Sequence, residues 1–241
     1  MAEMGNKKLA RMIYENNLSK PVASSYKSLS EQVYEIIKNK IIYRELKPGE
    51  RIIDKHLAEE LDVSRSLVRQ AFTILEKEEL ITSIPRSGFY VREITKQDVA
   101  EIYNIRKLLE TYATELAVDK LSEEDIAEAD EIFEKAKQDL EEGRVEKFIE
   151  ADSKLHEILI DNCGNDRLKK MINKYNTHYI FYRIIDLSTV ERAKEAYEEH
   201  YEIFKAVQKR DVEEAVRLMG EHVERARDII LQNFADYTFG N

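Results

Sequence analysis

The stretch DKHLAEELDVSRSLVRQAFTILEKEELI, residues 54–81, decides the fold of the first part of this chain. Its hydrophobic residues recur at helical spacing in two runs that are separated by a short break. Ser64, at the start of the second run, suits a helix N-cap because its hydroxyl can accept a hydrogen bond from a free backbone N–H. Arg65 and Arg69 lie four residues apart and share the polar face of the second run. The stretch therefore predicts a helix-turn-helix, in which the first turns of the second helix touch base edges in the major groove.

Two short β runs, residues 80–82 and 88–91, follow with a basic turn between them. An amphipathic helix with a solvated face would by itself be equally consistent with the polar residues of the second run. The order helix, turn, helix and hairpin is that of a winged helix-turn-helix, and this order favours DNA binding. Arg86 at the tip of the hairpin can reach phosphates or the minor groove, and Gly88 gives the backbone room to bend.

Three motifs of this region stand in a specific order and spacing: KPGER at residues 47–51, LAEEL at 57–61 and VSR at 63–65. Together with the Val68-Arg69 pair they resemble the DNA-binding domain of GntR-family regulators over about residues 29–93. The resemblance implies that Arg65 and Arg69 read the DNA and that residues 86–88 belong to the wing. The DNA-contacting residues that we predict are Lys55, Ser64, Arg65, Ser66, Arg69, Arg86, Ser87 and Gly88.

Two residues depart from the family pattern. Family members often carry Arg where Lys55 stands, and a lysine offers a point charge in place of a bidentate contact. They usually carry Gly in the turn where Asp62 stands. Aspartate tolerates the left-handed conformation better than most residues, so we expect the turn to survive.

Length and composition favour a helix-rich protein with two domains. The chain has 241 residues, of which 43% are hydrophobic and 36% charged, with only 7 Gly and 3 Pro. No apolar run approaches the roughly 18 residues that span a bilayer, and the N-terminus lacks an apolar signal core. The single Cys163 excludes an intrachain disulfide and fits a reducing compartment. We therefore expect a cytoplasmic protein with no membrane partner.

The net charge of −10 is unevenly distributed along the chain. Residues 1–94 hold 16 Lys and Arg against 14 Asp and Glu, a net of +2, whereas residues 95–241 hold 22 against 34, a net of −12. DNA binding by the first part would therefore depend on where its few cationic side chains are presented, and not on the overall electrostatic field.

From residue 95 onward the sequence shows only helical periodicity. Six helices joined by short breaks are predicted, starting near residues 95, 122, 145, 165, 188 and 211, and hence a largely antiparallel all-α bundle. In the first of them, a buried stripe is predicted at Val99, Ile102, Ile105, Leu109 and Tyr112. The chain is thus expected to be mainly α, with an N-terminal extension at 1–27, the winged helix-turn-helix at 28–93 and the bundle at 94–241. The extension could be a packing arm or a partly disordered tail.

Several bundle residues with metal-binding side chains align with core-type positions of their helices: Asp152, His156, His178, His200 and His222. Any one such histidine is more often a core residue with satisfied hydrogen bonds. Several imidazoles and a carboxylate buried together are costly, however, unless a compensating charge is present. A divalent cation would relieve that cost. Asp152, His156, His200 and His222 offer it a nitrogen and oxygen donor set that suits Zn, Ni, Fe or Mn.

An Asp-x-x-x-His pair followed by one His on each of two later helices resembles the all-helical FCD effector domain of GntR regulators, over about residues 95–233. The resemblance implies that these four residues hold a metal and that a small organic acid binds beside it. Arg106 lies on the predicted buried stripe and is expected to pair with that acid, although a structural salt bridge to a bundle carboxylate is about equally consistent. His178, Tyr182 and Arg183 complete the predicted effector-binding set.

These features predict a one-component transcription regulator, most simply a repressor, that binds a short inverted repeat of double-stranded DNA as a homodimer and responds to a small organic acid. Two alternatives stay open at this point. A metal-dependent hydrolytic enzyme could use such a site to activate water, although no further residue stands out as a general base. A direct metal sensor would need no organic effector.

Overall fold

The computed structural model describes residues 28–187 and 189–239. The described residues form two compact units that divide between Thr95 and Lys96. The prediction for residues 1–27 lies outside them. Among the described residues, we find no helix that is both long and apolar enough to cross a membrane.

The first unit is a winged helix-turn-helix, as predicted. Its elements are α1 (Leu29–Ile42), β1 (Arg51–Ile52), α2 (Asp54–Glu60), α3 (Arg65–Lys77), β2 (Ile81–Ile84) and β3 (Gly88–Val91). The strands pair antiparallel in the order β1-β3-β2. The sequence did not predict β1, because two residues are too short to show an alternating pattern.

The turn between α2 and α3 keeps the geometry that the sequence predicts. Asp62 adopts a left-handed backbone with φ of 51°, so aspartate does replace the glycine of the family pattern. The Ser64 hydroxyl accepts a hydrogen bond from the backbone N–H of Leu67 at 3.3 Å and caps α3. The apolar face of α3, which includes Val68, Phe72 and Leu75, is fully buried in the core of this unit. The opposite face of α3 is consequently left exposed.

The second unit is all-helical over its described residues. Its helices are α4 (Lys96–Ala117), α5 (Glu123–Glu141), α6 (Glu146–Asn162), α7 (Asp166–Lys174), α8 (Asn176–Asp186), α9 (Val190–Gln208) and α10 (Val212–Phe239), with a 3₁₀ turn at Val118–Lys120. The closest packing is between α4 and α10, between α5 and α6, and between α9 and α10. Three of these helices, α6, α9 and α10, supply the side chains of the candidate metal centre.

One predicted helix, from Asn165 to Ile185, is divided in two, so that six predicted helices become seven. The division is at Tyr175, whose backbone N–H bonds to the carbonyl of Ile172 at 3.0 Å and tightens the last turn of α7. Asn176 and Thr177, which follow, are weak helix formers. A separate helix, α8, begins after the break, and its residues 177–183 are all buried.

The buried face of α4 is rotated away from the one that the sequence predicts. The buried residues are Val99, Tyr103, Arg106, Glu110, Ala113, Thr114 and Ala117. Ile105 and Tyr112, predicted to be buried, are exposed, and Leu108 is 72% exposed. The prediction was wrong because it assumed that the apolar arc of the helix faces the core. The core side of α4 instead carries the ion pair of Arg106 with Glu110, which meets His156 of α6 and Tyr179 of α8.

Candidate metal centre and DNA-contacting surface

Three histidines of the second unit converge on one point in its interior: His156 on α6, His200 on α9 and His222 on α10. Their candidate ligand atoms all lie within 4.8 Å of one another. The Nε2 atoms of His156 and His200 are 3.3 Å apart. Two nitrogens that bind one zinc ion at about 2.0–2.1 Å in tetrahedral geometry stand roughly 3.3 Å apart. The spacing therefore fits a shared cation.

The other ring nitrogen of each histidine, Nδ1, lies beside an oxygen that can only accept a hydrogen bond. His200 Nδ1 donates to the Ala196 carbonyl at 2.6 Å, and His222 Nδ1 donates to the Glu199 carboxylate at 2.9 Å. His156 Nδ1 lies 2.7 Å from Oε2 of Glu110, a contact whose angle is too bent for a good hydrogen bond. The hydrogen bonds of His200 and His222 assign the proton to Nδ1 in those two rings, and the carboxylate beside Nδ1 of His156 favours the same tautomer, so each Nε2 presents a lone pair to the centre. Metal-binding histidines are held in this way.

Asp152 stands at the same point. Its Oδ1 is 2.6 Å from His200 Nε2 and 3.6 Å from His156 Nε2, while its Oδ2 pairs with Arg183. With the tautomers assigned above, the carboxylate oxygen and the two nitrogens face one another as lone pairs with no proton between them. A cation would relieve this repulsion. The structure thus brings together all four residues that the sequence proposes as ligands.

The protonation state of the cluster also suits a metal. Burial lowers the pKa of His200 to about 4. Burial and the two neighbouring imidazoles hold the pKa of His222 well below its ordinary value, and burial lowers the pKa of His156. All three rings are therefore neutral at pH 7, which is the form that binds metals.

Two carboxylates that the sequence reasoning missed, the buried Glu110 and the partly buried Glu199, lie against the histidines. Burial raises the pKa of Glu110, but the charge of Arg106, whose Nε is 2.6 Å away, and the contact with His156 lower it overall. Glu199 is held by Arg192 at 3.0 Å while it accepts from His222. The four-residue spacing of Arg106 and Glu110 was a usable signal for a buried ion pair. No comparable signal exists for Glu199, whose role depends on the packing of α9 against α10.

Arg106 does not lack an anion, contrary to the expectation from the sequence. Glu110 supplies one, and the guanidinium also lies over the rings of Tyr103 and Tyr179, at 5.5 Å and 4.9 Å from their centroids. Burial disfavours the charged guanidinium, but the Glu110 carboxylate raises the pKa of Arg106 overall. The structural salt bridge that the sequence left open is therefore present.

The other three residues of the predicted effector set lie on α8 and are buried: His178, Tyr182 and Arg183. Arg183 pairs with Asp152 and donates to the Ser153 hydroxyl at 3.3 Å, so it touches the metal cluster directly. Burial and the nearby Arg106 charge lower the pKa of Arg183 to about 9. His178 lies outside the three-histidine group, with its ring 6.4 Å from that of Tyr182.

In the first unit, the predicted DNA-contacting side chains of α3 are exposed. The Arg65 and Arg69 side chains are 59% and 62% exposed, and Lys55 on α2 is also exposed. Ser66 lies on the same surface, with its hydroxyl 2.8 Å from that of Ser64. Arg65, Ser66 and Arg69 thus lie exposed near the start of α3, and their contact with DNA stays a prediction.

The wing is a tight hairpin between β2 and β3. Arg86 is exposed at its tip with φ of 63°, and the Ser87 hydroxyl is 2.6 Å from that of Tyr90. Gly88 has φ of 124°, a conformation that side chains rarely adopt. Glycine therefore suits this position because of its backbone conformation, since a Cβ there would make only an ordinary contact with the Arg51 side chain at 3.4 Å.

Comparison with known proteins agrees with this geometry. Residues 29–91 match the family model of bacterial regulatory proteins of the gntR family, and residues 101–225 match the FCD domain. The chain belongs to the GntR family. It is accordingly a DNA-binding transcription regulator with an FCD domain, and the alternative of a metal-dependent enzyme is set aside because the family and its relatives are regulators.

Similar proteins include two named regulators. The HTH-type regulator YdhC of Bacillus subtilis (strain 168) is 36% identical over 164 residues, which cover 68% of this chain and 73% of that protein. McbR of Escherichia coli (strain K12) is 39% identical over 122 residues, which cover 51% of this chain and 55% of McbR. The solved structure of E. coli McbR/YncC has a TM-score of 0.68 at 29% identity and covers 86% of this chain and 99% of that one. The GntR-family regulator thus has a winged helix-turn-helix and a helical second unit, as predicted.

Proposed function

We propose that the protein is a metabolite-responsive repressor whose FCD domain holds a divalent metal through Asp152, His156, His200 and His222. The observation that carries this proposal is the convergence of three Nε2 lone pairs, each from a ring whose Nδ1 faces an acceptor. The donor set suits Zn, Ni, Fe or Mn. When bound, such a cation would attract and polarise a carboxylate oxygen of an effector.

We infer that the effector is a small carboxylate that binds beside this site, with Arg106, His178, Tyr182 and Arg183 around it. Arg106 and Arg183 are its candidate charge partners, and each would have to share or exchange the carboxylate that it holds, Glu110 or Asp152. A role as repressor is supported by one relative, the gluconate operon transcriptional repressor of Bacillus subtilis (strain 168), which is 30% identical over 159 residues that cover 64% of it.

Direct sensing of the metal is the second candidate function. It is favoured by the pairing of the two candidate arginines, Arg106 and Arg183, with carboxylates of the chain itself, because an organic anion must then compete with Glu110 or Asp152. Whether the ligand is a metal or a carboxylate, α4 provides the shortest route along the chain from the DNA-binding unit to the second unit. It begins at Lys96, soon after β3 ends at Val91. The ligand must bind one arrangement of the regulator better than another in order to change DNA binding.

Operator titrations with a panel of di- and hydroxycarboxylates distinguish these functions. The operator is first selected from random duplexes with the purified protein. We expect one carboxylate to change operator affinity by about 5–150-fold, the usual size of coupling between two sites. Metal removal with a chelator should abolish this response. A change in affinity on chelation alone, with no response to any carboxylate, would instead establish direct metal sensing.

We propose further that the protein binds a short inverted repeat as a homodimer, with α3 of each copy in one half-site. Support for self-association comes from an exposed apolar surface on α4 and α7, two helices that pack together. It consists of Ile105, Leu108, Tyr112 and Met171, which are the large hydrophobic residues exposed in the described part of the second unit. A two-fold axis would place the same surface of a second copy against it.

Leu108→Glu should disrupt this self-association. A symmetric dimer would lose the burial of two leucines, about 3–6 kcal/mol, which weakens the dimer at least about 100-fold in Kd. Analytical ultracentrifugation over a range of concentrations measures the change. Gln138→Glu adds the same charge at an exposed position of α5 and serves as the matched control. A dimer that is equally tight in both variants would place the contact elsewhere.

A further inference from the structure

Asp54, the first residue of α2, joins the two arginines of the recognition helix. Arg65 Nη2 is 2.9 Å from Oδ1 and 3.1 Å from Oδ2 of Asp54, and Arg69 Nε is 3.8 Å from Oδ2. The Asp54 side chain is only 15% exposed, whereas both arginines are more than half exposed. One carboxylate of α2 therefore hydrogen-bonds the guanidinium of Arg65 and lies within ion-pair distance of that of Arg69.

The contribution of these ion pairs to folding stability is too small to explain why Asp54 lies between the two arginines. Exposed ion pairs contribute little to folding, because solvent and salt screen them. An acidic residue in the first turn of a helix does interact favourably with the helix dipole, and Asp54 has this role whichever way its side chain points. The dipole does not require that the carboxylate contact Arg65 and Arg69. The contact with Arg65 and Arg69 instead affects the side chains that we propose for DNA binding.

We propose that Asp54 is a specificity-determining residue for DNA recognition. This inference rests on the proposed role of Arg65 and Arg69 as base readers. A long arginine side chain on an open surface samples many rotamers, and ordering it on binding costs conformational entropy. The contact with Asp54 orders both side chains before DNA arrives. Each guanidinium has five N–H donors, so one edge can bind Asp54 while another binds a guanine.

The negative charge of Asp54 also acts against indiscriminate binding. Nonspecific affinity comes from cations that neutralise phosphates, and a carboxylate between two arginines lowers the local positive potential. An operator base that hydrogen-bonds the preoriented guanidinium groups recovers part of the affinity that the carboxylate costs, whereas random DNA recovers none of it. Asp54 thus lowers affinity for all DNA but lowers it less for the operator, which raises the ratio of specific to nonspecific binding.

The test compares Asp54→Asn with the wild-type full chain on the selected operator and on random duplex DNA of equal length, at several salt concentrations. We expect random DNA to bind more tightly and the ratio of the two affinities to fall about tenfold, the size of a weakened bidentate base contact. Asp62→Asn, which removes the same charge from an exposed turn of this unit, is the matched control and should leave the ratio unchanged. An unchanged ratio in Asp54→Asn would overturn the inference.

Two more variants test whether Asp54 acts by orienting the arginines and whether Arg69 reads bases. Asp54→Glu preserves the charge but displaces it by one methylene, so it should lower the ratio without tightening binding to random DNA. A ratio as high as that of the wild type in Asp54→Glu would contradict a role in orienting the arginines. Arg69→Ala tests the underlying assignment and should lower operator discrimination. An unchanged ratio of operator to random affinity in Arg69→Ala would show that Arg69 does not read bases. If the ratio falls in Arg69→Ala but stays unchanged in Asp54→Asn, only the role proposed for Asp54 fails.

Discussion

His200→Ala and His222→Ala should each lower metal affinity at least about 100-fold. Removal of a side chain that only hydrogen-bonds a metal ligand typically lowers affinity about 10–100-fold, and removal of the ligand itself should cost at least as much. Each variant removes one of three Nε2 lone pairs that meet at the centre of the FCD domain. A metal that binds only the folded protein stabilises it by mass action, and a 100-fold weaker site removes about 2.7 kcal/mol of that stabilisation. For a protein of this size the metal-induced rise in Tm should shrink by roughly 5–10 °C.

Elemental analysis of the purified variants and melting curves with and without added metal measure both effects. Each variant is compared with its own metal-free form, because alanine also leaves a cavity in the core. His178→Ala is the matched control, since His178 is a buried histidine of the same unit that lies outside the three-histidine group. It should keep its metal. Wild-type metal content in both His200→Ala and His222→Ala would refute the ligand assignment.

Arg106→Ala should destabilise the second unit by about 3–5 kcal/mol, the usual cost of leaving one member of a buried ion pair without its partner. Glu110 would then be a buried carboxylate whose remaining neighbour in the cluster is the weakly basic His156. The double variant Arg106→Gln with Glu110→Gln removes both charges and should recover much of the loss. Urea unfolding of the wild type, of Arg106→Gln and Glu110→Gln as single variants, and of the double variant gives the interaction free energy of the pair.

The same double variant separates a structural role of Arg106 from a role in effector binding. If Arg106 holds the carboxylate effector, the double variant should bind the operator normally but no longer respond to the effector. A wild-type response would make Arg106 purely structural and would exclude the proposed route through α4. Lys107→Ala, the control, removes the neighbouring partly exposed ion pair with Glu224 and should cost no more than about 1 kcal/mol.

Local sequence chemistry was enough to predict the winged helix-turn-helix. Ser64 caps α3 and Asp62 adopts the left-handed turn, and both properties depend on the residue itself and its immediate neighbours. The same is true of Asp152 and His156, whose spacing puts them on one face of α6 wherever that helix packs. Metal-binding side chains at core-type positions could therefore be recognised before the fold was known.

Except for the Arg106–Glu110 pair of α4, the partners of the buried charges could not be predicted in this way, because they come from different helices, as Arg183 with Asp152 and Arg192 with Asp186 do. Hydrophobic periodicity identifies the more apolar face of α4, but the neighbouring helices decide which face is buried. Arg106 and Glu110 lie inside because α6 brings His156 to them, and the apolar Leu108 is consequently left outside. Asp54 reaches Arg65 only through the turn that folds α2 against α3. A charged group is stable in a protein interior only beside a partner of opposite charge, and for Arg183 and Arg192 tertiary packing supplies that partner.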